Sequence, residues 1–129
     1  MAILKANPTG KCPSLYESIS LGSGAAAYTS AFEINPLPKG GQEKKYLTVY
    51  FQPSAAPASG NYDIDLYGSA TAGGTKVKLA DDIITDGTGT AAASLEISKY
   101  PMPYYYIGVT SAGNDSAKTA RIALFGEVE

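Results

Sequence analysis

Residues 61–67 read NYDIDLY. Tyr62, Ile64 and Leu66 alternate with Asp63 and Asp65. A period of two sends the apolar side chains to one side of a strand and both carboxylates to the other, whereas a helix of period 3.6 would scatter them. The stretch therefore predicts a half-buried antiparallel strand. On its outer side, Asp63 and Asp65 read as a solvated face. By strand rise they stand about 7 Å apart, a spacing that would also suit a glycosidase carboxylate pair.

The same alternation recurs on either side. In YLTVYFQ (46–52) Leu47, Val49 and Phe51 share a face. KVKL (76–79) splits as cleanly, and SLEIS (94–98) turns Leu95 and Ile97 inward. Near the C-terminus, Ile122 and Leu124 oppose Arg121, Ala123 and Phe125. Candidates at 15–21 and 26–34 bring the count to about eight strands. Turn chemistry separates them: PSAAPASG (53–60), AGG (72–74), DGTG (86–89) and SAGNDS (111–116). NPLPKGGQ (35–42) reads as a stiff loop that changes sheets. The expectation is an all-β fold, an antiparallel β-sandwich or jelly roll of about eight strands. It forms a single domain over 15–129, preceded by an irregular N-terminal arm at 1–14, MAILKANPTGKCPS. An immunoglobulin-like sandwich is the alternative, but the chain has no Trp and a single Cys, so it lacks the Cys…Trp…Cys signature.

Composition narrows the chemistry. The chain has 129 residues, 17% charged, with a net charge of −2, which gives no electrostatic footprint for nucleic acid or an anionic membrane. No apolar run is long enough to span a bilayer, and the N-terminus does not read as a signal peptide, so synthesis in a cytoplasm is expected. His is absent, which removes Ser-His and Cys-His pairs and the usual zinc ligand. Cys12, beside Lys11 and Pro13, reads as a spectator thiol. Gly22-Ser23-Gly24 and Gly87-Thr88-Gly89 lack the Lys-Ser/Thr of a phosphate loop and read as turns. Asp81-Asp82 and Asp86 offer oxygens that a hard cation such as calcium takes, without the spacing of a D-x-D-x-D-G loop. Asn114-Asp115-Ser116 matches a glycosylation sequon and reads as a turn. No enzymatic activity and no cofactor are expected.

The aromatic inventory is unusual: 10 Tyr, 3 Phe and no Trp. Three tyrosines fall in YPMPYYYIGVT (100–110), behind a corner in which Pro101 and Pro103 fix φ and withhold backbone donors. Tyr105, Ile107 and Val109 form one face of the next strand, and Tyr104, Tyr106 and Gly108 the other. With Tyr46 and Tyr50, outward on their own strand, Tyr104 and Tyr106 suggest an aromatic patch. Such a patch is a pleated surface filled by good strand formers, a protein interface, or a sugar-stacking platform.

From Tyr46 to Glu129 the order of features resembles the small capsid decoration, or cement, proteins of tailed bacteriophages. YLTVYFQ is followed by YDIDLYGSATAGGTKVKLAD, the small-residue loop GTGTAAASLEIS, the proline entry YPMPYYYIGVTSAGNDS and the closing strand KTARIALFGEVE. The resemblance covers about two-thirds of the chain. It implies a jelly-roll protein, commonly trimeric, that sits on the capsid surface of a virion assembled in the host cytoplasm. Its partner would be the major capsid protein; the alternative is a phage tail or fibre protein or another carbohydrate-binding β-sandwich module. The contact residues expected on that basis are Leu4 and Lys5 of the arm, Tyr100, Met102, Tyr104 and Tyr106 of the corner, and Tyr46 and Tyr50.

Overall fold

The computed structural model describes residues 2–5, 15–35 and 45–128. Among these residues the chain forms ten strands: β1 (Ala2–Lys5), β2 (Leu15–Ser20), β3 (Ala26–Tyr28), β4 (Phe32–Asn35), β5 (Lys45–Pro53), β6 (Tyr62–Ser69), β7 (Val77–Gly87), β8 (Ala91–Glu96), β9 (Tyr104–Thr110) and β10 (Thr119–Val128). One 3₁₀ turn, Ile97–Lys99, follows β8. The strands form two sheets. Sheet A runs β1-β4-β9-β6-β7, with β3 also on β9, and sheet B runs β2-β10-β5-β8.

With β1 set aside and β3 and β4 counted as one interrupted strand, eight strands remain. The first, eighth, third and sixth make sheet B; the second, seventh, fourth and fifth make sheet A. This is the two-Greek-key order of a jelly roll, as the strand count and turn spacing predict. All pairings are antiparallel except β1 with β4, where Ala2 to Lys5 run parallel to Phe32 to Asn35. Residues 2–5 of the expected arm are thus a sheet-edge strand, and the rest of the arm lies outside the described residues, as does the 36–42 part of the sheet-changing loop.

The alternation read from the sequence defines the core. Tyr62, Ile64 and Leu66 of β6, Leu47, Val49 and Phe51 of β5, Tyr105, Ile107 and Val109 of β9, and Ala120, Ile122 and Leu124 of β10 all meet between the sheets. Phe32 stacks on Tyr105, and Phe51 meets Tyr62 edge-on. Removing these side chains from water is the main term favouring the fold.

The stretch 26–34 breaks in two at Thr29. Its buried hydroxyl accepts from the Ile107 amide at 3.1 Å and donates to the Ser30 carbonyl. A side-chain oxygen thus takes the role of a ladder carbonyl, and the strand resumes at Phe32 after a step. Glu17, on the inner side of β2, accepts from the amide and hydroxyl of Ser30 at 2.6 and 3.1 Å. It ties the edge of sheet B to this step. An inward-facing charge of this kind also discourages edge-to-edge pairing.

Candidate functional site

The two outer faces of the sandwich differ in kind. On sheet B, the register sets Tyr16 beside Ala123, Ala123 beside Tyr50 and Tyr50 beside Ala92. The next outward row is Phe125, Thr48 and Ser94, and Tyr46 and Glu96 pair at the end. Four aromatic rings therefore lie among small side chains on the outer face of sheet B. Tyr16 is 55% exposed; Tyr46, Tyr50 and Phe125 are half-buried. At the other end, Gln52, Pro53, Ser54, Thr119 and Arg121 line a cleft of about 370 Å³. Rings with polar tips over a weakly charged surface have the composition of a protein contact surface. Tyr16 did not enter the sequence-based contact set. Its signal was the outward position in LYESIS, between Leu15 and Glu17.

On sheet A the tyrosines are packed against one another. Tyr106 and Tyr67 are register partners on β9 and β6, and Tyr28 lies opposite Gly108. Tyr28 meets both other rings edge-on, at 5.1 Å from Tyr67 and 6.4 Å from Tyr106. Lys76 covers Tyr28 and Tyr106 with its ammonium at 4.8 and 4.5 Å from the ring centres. The Tyr106 hydroxyl accepts from the Gly73 amide at 2.6 Å, which clasps the β6–β7 hairpin over the rings. Burial pushes the Tyr67 phenol up from its usual range, partly countered by Lys78. Tyr106 is thus buried at 4% exposure and offers no open ring face.

The single aromatic patch expected from Tyr46, Tyr50, Tyr104 and Tyr106 does not form. β5 belongs to sheet B and β9 to sheet A, so their outward faces lie on opposite sides of the molecule. The corner is also more inward than expected. Tyr100 and Met102 are half-buried against the core. The buried Tyr105 hydroxyl accepts from the Met102 amide at 3.0 Å and donates to the Tyr100 carbonyl at 2.7 Å, closing the corner from within. Tyr104 is half-buried at the start of β9. The side chains of Leu4 and Lys5 are outside the described set.

The acidic strand face differs from expectation as well. Asp63 is exposed, but Asp65 is completely buried. The cause is β7, which carries extra residues relative to β6 between the Ile64–Ile84 and Leu66–Ala80 pairs. This bulge puts Asp82 in the left-handed region, φ 51°, and aims its amide at Asp65 Oδ1, 2.8 Å away. Lys78 Nζ stands 3.4 Å from both Asp65 Oδ2 and Asp81 Oδ1. Burial raises the Asp65 carboxyl above its usual range. Asp63 is pushed up to about 6, first by its hydrogen bond with Asp82, then by burial and the neighbouring carboxylates. Asp81 lies below its usual range because of its bonds with Asp65 and Lys78. The side chain of Asp86 is outside the described set. The sequon is a turn: Asn114 Oδ1 accepts from the amide and hydroxyl of Ser116.

No protein-family model matches the chain, and no curated protein matches it in sequence. Among solved structures it is similar to the carbohydrate-binding module CBM36 in complex with calcium and xylotriose, at 11% identity and a TM-score of 0.35, covering 86% of this chain and 78% of that one. It is also similar to the structure of Tomato Aspermy Virus, at 11% identity and a TM-score of 0.41, covering 88% and 76%. At these identities and scores neither likeness assigns a role, and neither is a phage decoration protein.

Proposed function

We propose that this chain is a virion structural protein of the cement type, which binds the outside of a phage capsid and bridges neighbouring coat subunits. The observation that carries the proposal is the aromatic outer face of sheet B, with Tyr16, Tyr46, Tyr50 and Phe125 set among Ala92, Ser94 and Ala123. The order of sequence features shared with phage decoration proteins supports the same reading. The role needs no catalysis. It works by area: a standard protein interface buries about 1,600 Å² in total, and many modest contacts repeated over a shell add up. Trimerisation and the major capsid protein as partner are part of the proposal and come from the resemblance.

The test is reconstitution. Purified chain is added to expanded shells that lack it, and bound protein is measured by co-sedimentation. Wild type is expected to bind in high copy, and a Tyr16→Ala, Tyr50→Ala double variant at least about tenfold less, since truncating central aromatic anchors commonly costs 2 kcal/mol or more each. Equal binding by a folded double variant would remove sheet B from the contact.

A further inference from the structure

We propose that Asp63, Asp65 and Asp82 bind a hard divalent cation, calcium in the first instance, on the outer face of sheet A. One carboxylate oxygen from each residue lies within 4.8 Å of the others. Oxygens sharing one calcium ion, each about 2.3–2.6 Å from it, span such distances. The residues come from two strands, and the β7 bulge is what places Asp82 against the β6 pair.

A second observation concerns Asp65 alone. Its side chain is 0% exposed, yet Oδ2 accepts no hydrogen bond. Buried carboxylate oxygens are ordinarily satisfied, and an orphan is costly. Beside Asp65 stand the Asp81 carboxylate and the Lys78 ammonium, the latter 3.4 Å from Oδ2 and 45% exposed. Lys78 is shared between Asp65 and Asp81, and among the described residues no ion pair reaches Asp63 or Asp82. A dication held by Asp63, Asp65 and Asp82 supplies the positive charge that this cluster lacks.

Space and further ligands are at hand. Asn61, Tyr62, Asp63, Asp82, Ile84 and Thr85 line a cleft of about 240 Å³ that borders two of the three carboxylates, with Asp65 behind its lining. Its Asn and Thr side chains offer neutral oxygens, and water can complete the shell. The donor set holds only oxygen, which selects hard cations over zinc or copper. Calcium accepts an irregular set of six to eight oxygens, whereas magnesium demands a near-ideal octahedron and sheds water reluctantly. The site is independent of the capsid reading, because it lies on the opposite sheet from the proposed contact face.

The experiment titrates the full chain, stripped of metal by a chelator, with calcium chloride in a calorimeter. Thermal melts are recorded with and without calcium. The same is done for Asp63→Asn and Asp82→Asn, both at exposed positions, with Asn well tolerated at the left-handed backbone of residue 82. Wild type is expected to bind one calcium per chain, more tightly than magnesium, and to melt several degrees higher with it. Each variant, with an unchanged circular dichroism spectrum, is expected to bind on the order of tenfold more weakly. No heat up to millimolar calcium would overturn the proposal, as would undiminished binding by both folded variants.

Discussion

At the scale of single residues, two positions carry an unusual share of the packing. Gly108 leaves the gap on sheet A into which Tyr67 and Tyr28 lean. A Cβ there would sit 2.5 Å from a Tyr67 ring carbon and 3.1 Å from a Tyr28 ring carbon. Gly108→Ala is therefore expected to destabilise the fold by about 1–3 kcal/mol, as overpacking does. At Gly89, where an added Cβ meets nothing within 4 Å, the same change is the neutral control. Urea unfolding of both variants checks this. Tyr105→Phe removes the hydroxyl that holds Tyr100 and Met102 in the corner. It is expected to cost about 1–3 kcal/mol and to loosen the 100–103 backbone, read as faster amide exchange at Met102.

At the scale of elements, the alternation in NYDIDLY and YLTVYFQ was enough to place β6 and β5 and to sort their core faces, because period-two patterning is a local signal. The break at Thr29 was not legible. It depends on the hydroxyl meeting the Ile107 amide, 78 residues away. The β7 bulge was hidden for a similar reason. Asp81-Asp82 reads locally as a pair of oxygen donors, and only pairing with β6 makes it part of a strand that buries Asp65. Asp115 shows what the last hairpin loop does. Its buried carboxylate accepts from Lys118 Nζ at 2.7 Å and from the Ala58 amide at 2.9 Å, while Lys118 also donates to the Ala56 carbonyl. These bonds fasten the 53–60 loop to the β9–β10 connection. The Lys118 bond leads the effects that hold the Asp115 carboxyl below its usual 3.8. A depressed carboxyl stabilises the fold above its unfolded value, and that contribution disappears as pH falls through the folded value. Wild type is therefore expected to lose stability on acidification below about 3.8 more steeply than Asp115→Asn, which is less stable at neutral pH. Thermal melts of the two proteins across pH 2–7 decide it: parallel curves would mean that Asp115 plays no such part.

At the scale of the whole molecule, the jelly roll presents two unlike faces. Sheet A packs Tyr67 and Tyr106 beneath Tyr28 and Lys76 and gathers carboxylates, while sheet B sets Tyr16, Tyr46, Tyr50 and Phe125 among small side chains. The sequence showed that outward tyrosines exist on both β5 and β9. It could not show that the two strands lie in different sheets, so it merged them into one patch. Strand order is set by the long-range pairing of β10 with β2 and β5, which no local pattern encodes. Deleting residues 2–13 is expected to weaken attachment to shells while leaving the β-sheet spectrum largely intact, since β1 is an edge strand that pairs with β4 and also approaches β10 of sheet B. An unfolded product would show that the β1–β4 pairing is needed for the fold itself. The most direct test of the proposed role is copy number, by quantitative mass spectrometry of purified particles made from the genome that encodes this chain. A cement protein is expected within a few fold of the major coat protein. Absence from the particles, or only a handful of copies, would contradict a shell-stabilising role.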